Sequence, residues 1–406
     1  MPGPLSHVKV LDLSRIMAGP WCGQILADLG AEVIKVERAG AGDDTRTWGP
    51  PYLKGPDGKD TREAGYYLAV NRGKRSLTLN FENPEAQRIV RELAGRSDIV
   101  LENFKVGTLA RFGLDAESLR RENPRLIYCS ITGYGQTGPR RDVAAYDFVM
   151  QGMGGLMSVT GERDGAPGGG PQKVGIPIID LTTGMYAVVA VLAALAARER
   201  TGRGDTIDLA MLDVAVATLC NQAMNFLTSG RVPRRNGNAH PNIQPQDVYA
   251  CQDGAMVLAV GNDRQFVQLC AIIGQPQLAD DERFRANGAR VRHRTELTAL
   301  LQGAFGTQPR RHWVAALEAA GVPCGPINTI DEVFADEQVQ HRQMCLELDH
   351  PVSGKVPLVA SPMKFAESTL EFRRHPPLLG EHTVEVLAEL GRGPVEVERL
   401  RTEGVL

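Results

Sequence analysis

The chain has 406 residues, of which 43% are apolar and 23% charged, with a formal net charge of −3. That is the composition of a globular protein of about two or three domains. The slight acidic excess excludes a nucleic-acid binder, which would carry a basic surplus, and requires that any polyanionic ligand be met by locally placed cations.

In chain order, Val8–Leu13 reads as a short apolar strand, Pro20–Leu29 as a helix with proline in its first turn, and Glu32–Glu37 as a second strand. A polar loop rich in Gly, Asp, Thr and Pro (39–63) follows. A strand is predicted at Ser76–Phe81, a helix at Glu85–Ala94, and strands at Asp98–Glu102 and Leu126–Ile131. Alternation of this kind predicts an α/β fold with a Rossmann-like parallel sheet covered by helices. An apolar helix over 181–200 stops at Thr201-Gly-Arg-Gly204, and a strand (Thr206–Ala210) and a helix (Asp213–Leu227) come next. Leu181–Ala197 is uncharged but short for a membrane span and built on Ala and Val, so a buried helix is expected. From about 230 to 330 the pattern changes to a polar loop, a strand pair around Asp253-Gly254 and several helices, which predicts a second, smaller α+β domain. Strand signals near Leu346–Leu348 and Leu358 and a helix at Thr383–Leu390 close the chain.

Seven cysteines form neither a C-x-x-C pair nor a zinc-spaced cluster, so buried reduced thiols and no metal are expected. Met1–Val10 carries neither a charged-then-apolar leader nor an Arg-rich amphipathic one, and a cytoplasmic chain is expected. Glu37 ends the second strand where a ribose-binding acid would sit, yet the preceding turn, Ser14-Arg-Ile-Met-Ala-Gly-Pro20, lacks the glycine fingerprint. Gly133-Tyr-Gly-Gln-Thr-Gly138 has that fingerprint, but Pro139 follows and no helix begins there. NAD is therefore not expected. A P-loop, a G-x-S-x-G elbow and H-E-x-x-H are also absent.

Asp180 stands between an apolar run and the apolar helix. Two readings fit that place. It is an ordinary helix N-cap, or it is a nucleophile, since a carboxylate at a helix N-terminus stays ionised and needs no adjacent base.

The strings Leu11-Asp-Leu-Ser-Arg-Ile-Met-Ala-Gly-Pro20, Gly40-Ala-Gly-Asp-Asp-Thr-Arg46, Glu102-Asn-Phe104, Ile179-Asp-Leu-Thr-Thr-Gly-Met185 and Ser361-Pro-Met-Lys-Phe365 resemble those of the class III CoA-transferases. The resemblance covers nearly the whole chain. It implies an intertwined homodimer of interlocked rings. Each chain would have a large domain from residues 1–228 and 331–406 and a small domain from 229–330. It further implies that Asp180 attacks an acyl-CoA thioester, forming an anhydride and then an aspartyl-CoA thioester.

Positions matching CoA contacts are Met17, Ala18, Arg38, Leu79, Asn80, Asn103, Phe104, Lys105, Arg111, Ala145, Tyr146 and Asp147. Glu82 and Ala144 stand where some relatives have lysine. Racemases of the same fold carry a histidine at position 146, and tyrosine is a poor base at neutral pH. A transferase is thus favoured over an α-methylacyl-CoA racemase; the other alternative is a CoA-binding protein without catalysis, in which Asp180 is only a cap. The strings Gly42–Pro51, Ile127–Gly138 and Gly325–Asn328 look most like the branch using succinyl-CoA and a dicarboxylic acid. Arg72, Arg290 and His240 are the residues expected near its free carboxylate, an arginine fork matching that group best.

Overall fold

The computed structural model describes residues 2–406. The chain forms two compact units, one of residues 2–155, Gly175–Cys220 and Gln340–Leu406, the other of Leu156–Val174 and Asn221–Val339.

The larger unit is built on six strands: β1 (Lys9–Asp12), β2 (Glu32–Arg38), β3 (Lys74–Leu79), β4 (Ile99–Glu102), β5 (Ile127–Thr132) and β6 (Thr206–Ala210). All pair in parallel in the order β3-β2-β1-β4-β5-β6. Short, near-continuous apolar strands are what a sheet covered on both faces needs, and every residue of β4 is buried. From β1 the chain builds outward on one side through β2 and β3, then crosses to β4 and builds the other way. The loops leaving β1 and β4 therefore diverge at adjacent strand ends, the place where such sheets open a crevice for ligands.

Helix α1 (Ala18–Asp28) follows β1, and the 24-residue helix α2 (Ile178–Thr201) packs along it. The approach is close because residue 184 is glycine: a Cβ there would lie 2.6 Å from the Ala18 carbonyl oxygen and 2.9 Å from the Trp21 ring. Helix α2 is long and apolar enough to cross a membrane, but half of its apolar window is buried within the protein, as in a core helix. The last segment returns to the sheet, where Val386, Leu387, Val397, Leu400 and Val405 join the core formed by Leu11, Leu77, Val100 and Ile89.

The smaller unit has a three-stranded antiparallel sheet, Gly254–Ala259 between Gln246–Cys251 and Cys324–Pro326. Its own core includes Tyr249, Met256, Phe266, Phe284, Phe305 and Trp313.

Several expectations change. Segment 39–63 contains a 3-10 turn at Asp44–Thr47 and a small hairpin, Tyr52–Lys54 with Asp60–Ala64. The helix expected over 213–227 is two, Met211–Thr218 and Cys220–Ser229, broken where Cys220 takes φ 42°. Residues 156–174 belong with the smaller unit, whose limits fall at 221 and 339. A final helix, Pro394–Thr402, was not anticipated. All seven cysteines are free, but Cys220 and Cys345 are exposed rather than buried.

Candidate active site

A cavity with about 180 Å³ of water-accessible space opens at the crevice between β1 and β4. Its walls are the turn after β1 (Arg15–Ala18), the loop after β4 (Asn103–Val106), the end of β5 (Ile131–Gly133), the segment Arg141–Tyr146, and Asp180 at the start of α2.

The first turn is held in a costly shape. Ile16 takes φ 71°, a left-handed conformation that a β-branched residue rarely adopts, at a cost of roughly 1–2 kcal/mol. Three groups impose it. Asp43 accepts the Ile16 N–H at 3.1 and 3.2 Å. The Asn103 amide grips the backbone of Arg15 on both sides, accepting from its N–H at 2.8 Å and donating to its carbonyl at 2.7 Å. Asp43 is itself fixed by the buried Lys35 at 2.9 Å, and Lys35 also donates to the Ser14 carbonyl at 2.8 Å. The Gly40–Arg46 string thus supports the turn from below. Arg46 closes the scaffold with a two-pronged bond to Glu37, both prongs at 2.8 Å. Glu37, the ribose-binding look-alike, is consumed by Arg46, Ser76 and the Asp43 N–H.

Asp180 is the third residue of α2 and does not cap it. Asp147 does that work: one of its carboxylate oxygens accepts the N–H groups of Ile179 at 2.7 Å and of Asp180 at 3.1 Å. The Asp180 carboxylate is left without a hydrogen bond or ion pair among the described residues, 8% exposed on the cavity wall. Burial, and then the charge of Asp147, push its pKa from the usual carboxylate range up to about 7. The helix N-terminus therefore does not hold Asp180 firmly as the anion: the N–H groups of Ile179 and Asp180 go to Asp147, and burial opposes ionisation. The negative charges of Asp180 and Asp147 also reach Tyr66, adding to the rise that burial causes in its pKa. Tyr66 packs edge-on against Trp48 at 5.1 Å.

Of the residues singled out from sequence, Met17, Ala18, Asn103, Phe104, Lys105, Ala145, Tyr146 and Asp180 line this cavity. Asp147 stands behind Asp180. Arg38, Leu79 and Asn80 lie at the carboxyl ends of β2 and β3, where Arg38 pairs in register with Leu79. Arg38 and Arg111 are exposed, Leu79 is buried in the core, and Asn80 binds the backbone of Gly404 and Val405.

The carboxylate candidates are placed differently. Arg72 is buried, with its fork on Asp28 (2.8 and 2.6 Å) and a further bond to the Val359 carbonyl. Arg290 is 1% exposed in the smaller unit. It binds the carbonyls of Gln244 and Phe284 and the Asp263 carboxylate and stacks on Phe266 at 4.4 Å. Both guanidinium groups are built into the fold. His240, also in the smaller unit, accepts the Asn242 N–H within its own loop.

The arginines on the cavity wall are instead Arg15 and Arg141, neither singled out from sequence. Arg15 was legible only as part of the first turn, and nothing local marks Arg141. Among the described residues no group of three metal-ligating side chains occurs.

The family profile described as CoA-transferase family III matches residues 5–383. The chain is 50% identical over 387 residues to a succinate–glutarate CoA-transferase of Agrobacterium fabrum, covering 95% of this chain and 96% of the relative. A human succinyl-CoA:glutarate CoA-transferase is 42% identical, covering 96% of this chain and 86% of that one. Among solved structures, a CAIB/BAIF family protein from Brucella suis superposes with a TM-score of 0.83 at 48% identity, covering 96% of this chain and 100% of that chain.

Proposed function

This chain belongs to the CoA-transferase family III, and on that premise we propose that it moves CoA from succinyl-CoA to a dicarboxylic acid of the glutarate class, with Asp180 as the covalent nucleophile. The observation that carries the reading is the Asp180 carboxylate, desolvated, unpartnered among the described residues, and open to the cavity. Desolvation raises the energy of the anion and so its tendency to attack, while the nearness of a bound thioester replaces a bimolecular encounter.

The electron pairs balance through four steps. Asp180 attacks the donor thioester carbonyl, the C–S bond breaks, and CoA leaves as thiolate from an acyl-aspartyl anhydride. The thiolate attacks the aspartyl carbonyl of that anhydride, releasing the donor acid and leaving an aspartyl-CoA thioester. The acceptor carboxylate attacks this thioester and frees the thiolate again. Attack of the thiolate on the acceptor's carbonyl restores Asp180 and yields the new acyl-CoA. One thioester replaces another, so no ATP is consumed.

Lys105 on the cavity wall and the exposed Arg38 and Arg111 supply the local cations that a chain of net charge −3 needs for the phosphates of CoA. For the acceptor's free carboxylate the reading favours Arg15. Its backbone is clamped by Asn103 and its guanidinium lies 5.4 Å from the Phe104 ring. Its ion pair with Asp44, at 3.1 Å with 43% of the side chain exposed, is weak enough to share. An interlocked homodimer accounts for the apolar side chains left exposed on neighbouring helices of the larger unit, among them Phe148, Val149, Met153, Met185 and Val189.

The test is to mix the protein with succinyl-CoA and trap with hydroxylamine or borohydride before mass spectrometry. The label is expected on Asp180. Transfer from succinyl-CoA to glutarate that survives Asp180→Ala would overturn the reading.

A further inference from the structure

Glu102 ends β4 and is 6% exposed, yet it has no ion-pair partner among the described residues. A buried acid without a cation is costly and calls for a reason. Its two oxygens have separate duties. One accepts the N–H of Phe104 at 2.8 Å, two residues on, and so bends the chain sharply out of the strand. The other accepts a hydrogen bond from the Ser130 hydroxyl on β5. The Ser130 oxygen accepts in turn from the Gln136 amide at 2.6 Å, and the Gln136 N–H donates to Asp208 on β6 at 3.0 and 3.2 Å. Facing residues on three adjacent strands are thereby linked, with Glu102 joining them to the loop that follows β4.

That loop is Asn103–Val106. It carries Asn103, which clamps Arg15, and Phe104 and Lys105, which face the acyl-CoA cavity. On its other side is a second cavity, lined by Glu102, Ser130, Gln136, Asp115, Glu117 and Asp208 and sharing Lys105 and Val106 with the first. Phe104 anchors the loop from one side by packing near Phe81, ring centroids 6.1 Å apart, while Lys105 is exposed between the two cavities. The hydrogen bond from the Phe104 N–H to Glu102 fixes the backbone where the loop leaves the strand.

We infer that Glu102 is a positioning residue for acyl-CoA: as an acceptor-only carboxylate it fixes the 103–106 loop in the shape that presents Phe104 and Lys105 to the coenzyme. The chemistry explains why an acid stands here instead of its amide. A glutamine could still accept from Phe104, but its NH2 would then face Ser130. The serine oxygen would receive two donors and the serine proton would lose its acceptor. Burial holds the Glu102 pKa at about 7, so the brace loses its anionic form at mildly acidic pH.

The inference rests on the CoA-transferase reading, and the experiment separates the two. Initial rates of succinyl-CoA-to-glutarate transfer are measured for the wild type, Glu102→Gln and Ser130→Ala. Thermal melts establish that each variant is folded. KM for succinyl-CoA is expected to rise about tenfold in Glu102→Gln, the worth of one hydrogen bond to a charged group, and less in Ser130→Ala. Turnover at saturation should stay within about twofold, and KM for glutarate should rise less than KM for succinyl-CoA, since the same loop reaches the acceptor only through the Asn103 clamp on Arg15. An unchanged KM for succinyl-CoA in the folded variants sinks the inference, as does a uniform loss of turnover with both KM values unmoved. If Glu102→Gln does not fold, Ser130→Ala alone decides by the same criterion. A wild type that transfers no CoA would instead sink the proposed function.

Discussion

Asp147 and Asp180 divide the start of one helix between them. The first accepts the N–H groups of Ile179 and Asp180 at 2.7 and 3.1 Å, and the second is thereby freed from capping and left desolvated on the cavity wall. The capping bonds also draw a second negative charge close to the nucleophile, and its field adds to the desolvation that raises the Asp180 pKa. Asp147→Asn keeps an acceptor for the helix but removes that charge. Asp180 should then titrate at lower pH. The acid limb of kcat/KM for acyl-CoA, expected near pH 7 in the wild type because Asp180 attacks only as the anion, should move down in Asp147→Asn. A pH–rate profile for both proteins decides it, and an unmoved limb would count against the coupling.

Asp180→Asn should abolish transfer and at the same time stabilise the protein. An acid whose folded pKa is raised destabilises the fold only where it is ionised. The penalty is absent below its ordinary value of 3.8, grows as pH rises, and is complete above about 7. Its ceiling is about 4 kcal/mol, three pKa units at about 1.4 kcal/mol each. Denaturant midpoints of the two proteins should diverge between pH 4 and pH 8, with the variant the more stable at the upper end. Parallel curves would falsify the linkage.

Arg15→Ala should raise KM for a dicarboxylic acceptor roughly ten- to a hundredfold, the worth of a charge-assisted pair. KM for a short monocarboxylate should change little, because that acid has no second carboxylate to lose. Competing the two acceptors in one assay reads the discrimination directly. An equal effect on both would move the carboxylate contact elsewhere, with Arg141 the next residue to test.

Arg72→Ala and Arg290→Ala should behave in the opposite way. The first strands the buried carboxylate of Asp28, at a cost of roughly 3–5 kcal/mol. The second strands the carbonyls of Gln244 and Phe284, at about 1–3 kcal/mol for each buried acceptor left unmade. Both should lower the melting temperature by several degrees, and acceptor discrimination should be kept where the protein is still folded. Arg15→Ala, by contrast, loses a partly exposed pair with Asp44 and a contact with the Phe104 ring and should melt within a few degrees of wild type.

Much of this was legible in the sequence. Strands β4 and β5 are short apolar runs and the other four mix apolar with polar residues, all separated by helical periods that mark them as a parallel sheet. Asp180 stood out as an acid at the head of an apolar helix, and Asn103, Phe104 and Lys105 through their motif. Boundaries were less legible where local signals agree on both sides. Helix propensity is favourable through 211–229, so the break at Cys220 was invisible. Segment 156–174 is a glycine-rich loop whose company is set by the chain beyond it.

Local pattern alone settled the fold class and the residue types on offer in the first turn and at the head of the apolar helix, because period and turn chemistry are short-range, whereas the strand order with its hand-over at β1 and β4 came from the fold. Only the folded chain could decide which arginines are tied down and which face the cavity. It alone could decide that Asp147 caps the helix that Asp180 heads, and that Glu102 is spent on a loop. Each of these depends on which distant group arrives within hydrogen-bonding reach, and a buried charge is defined by that partner and by the water it has lost, neither of which is written in its neighbours along the chain.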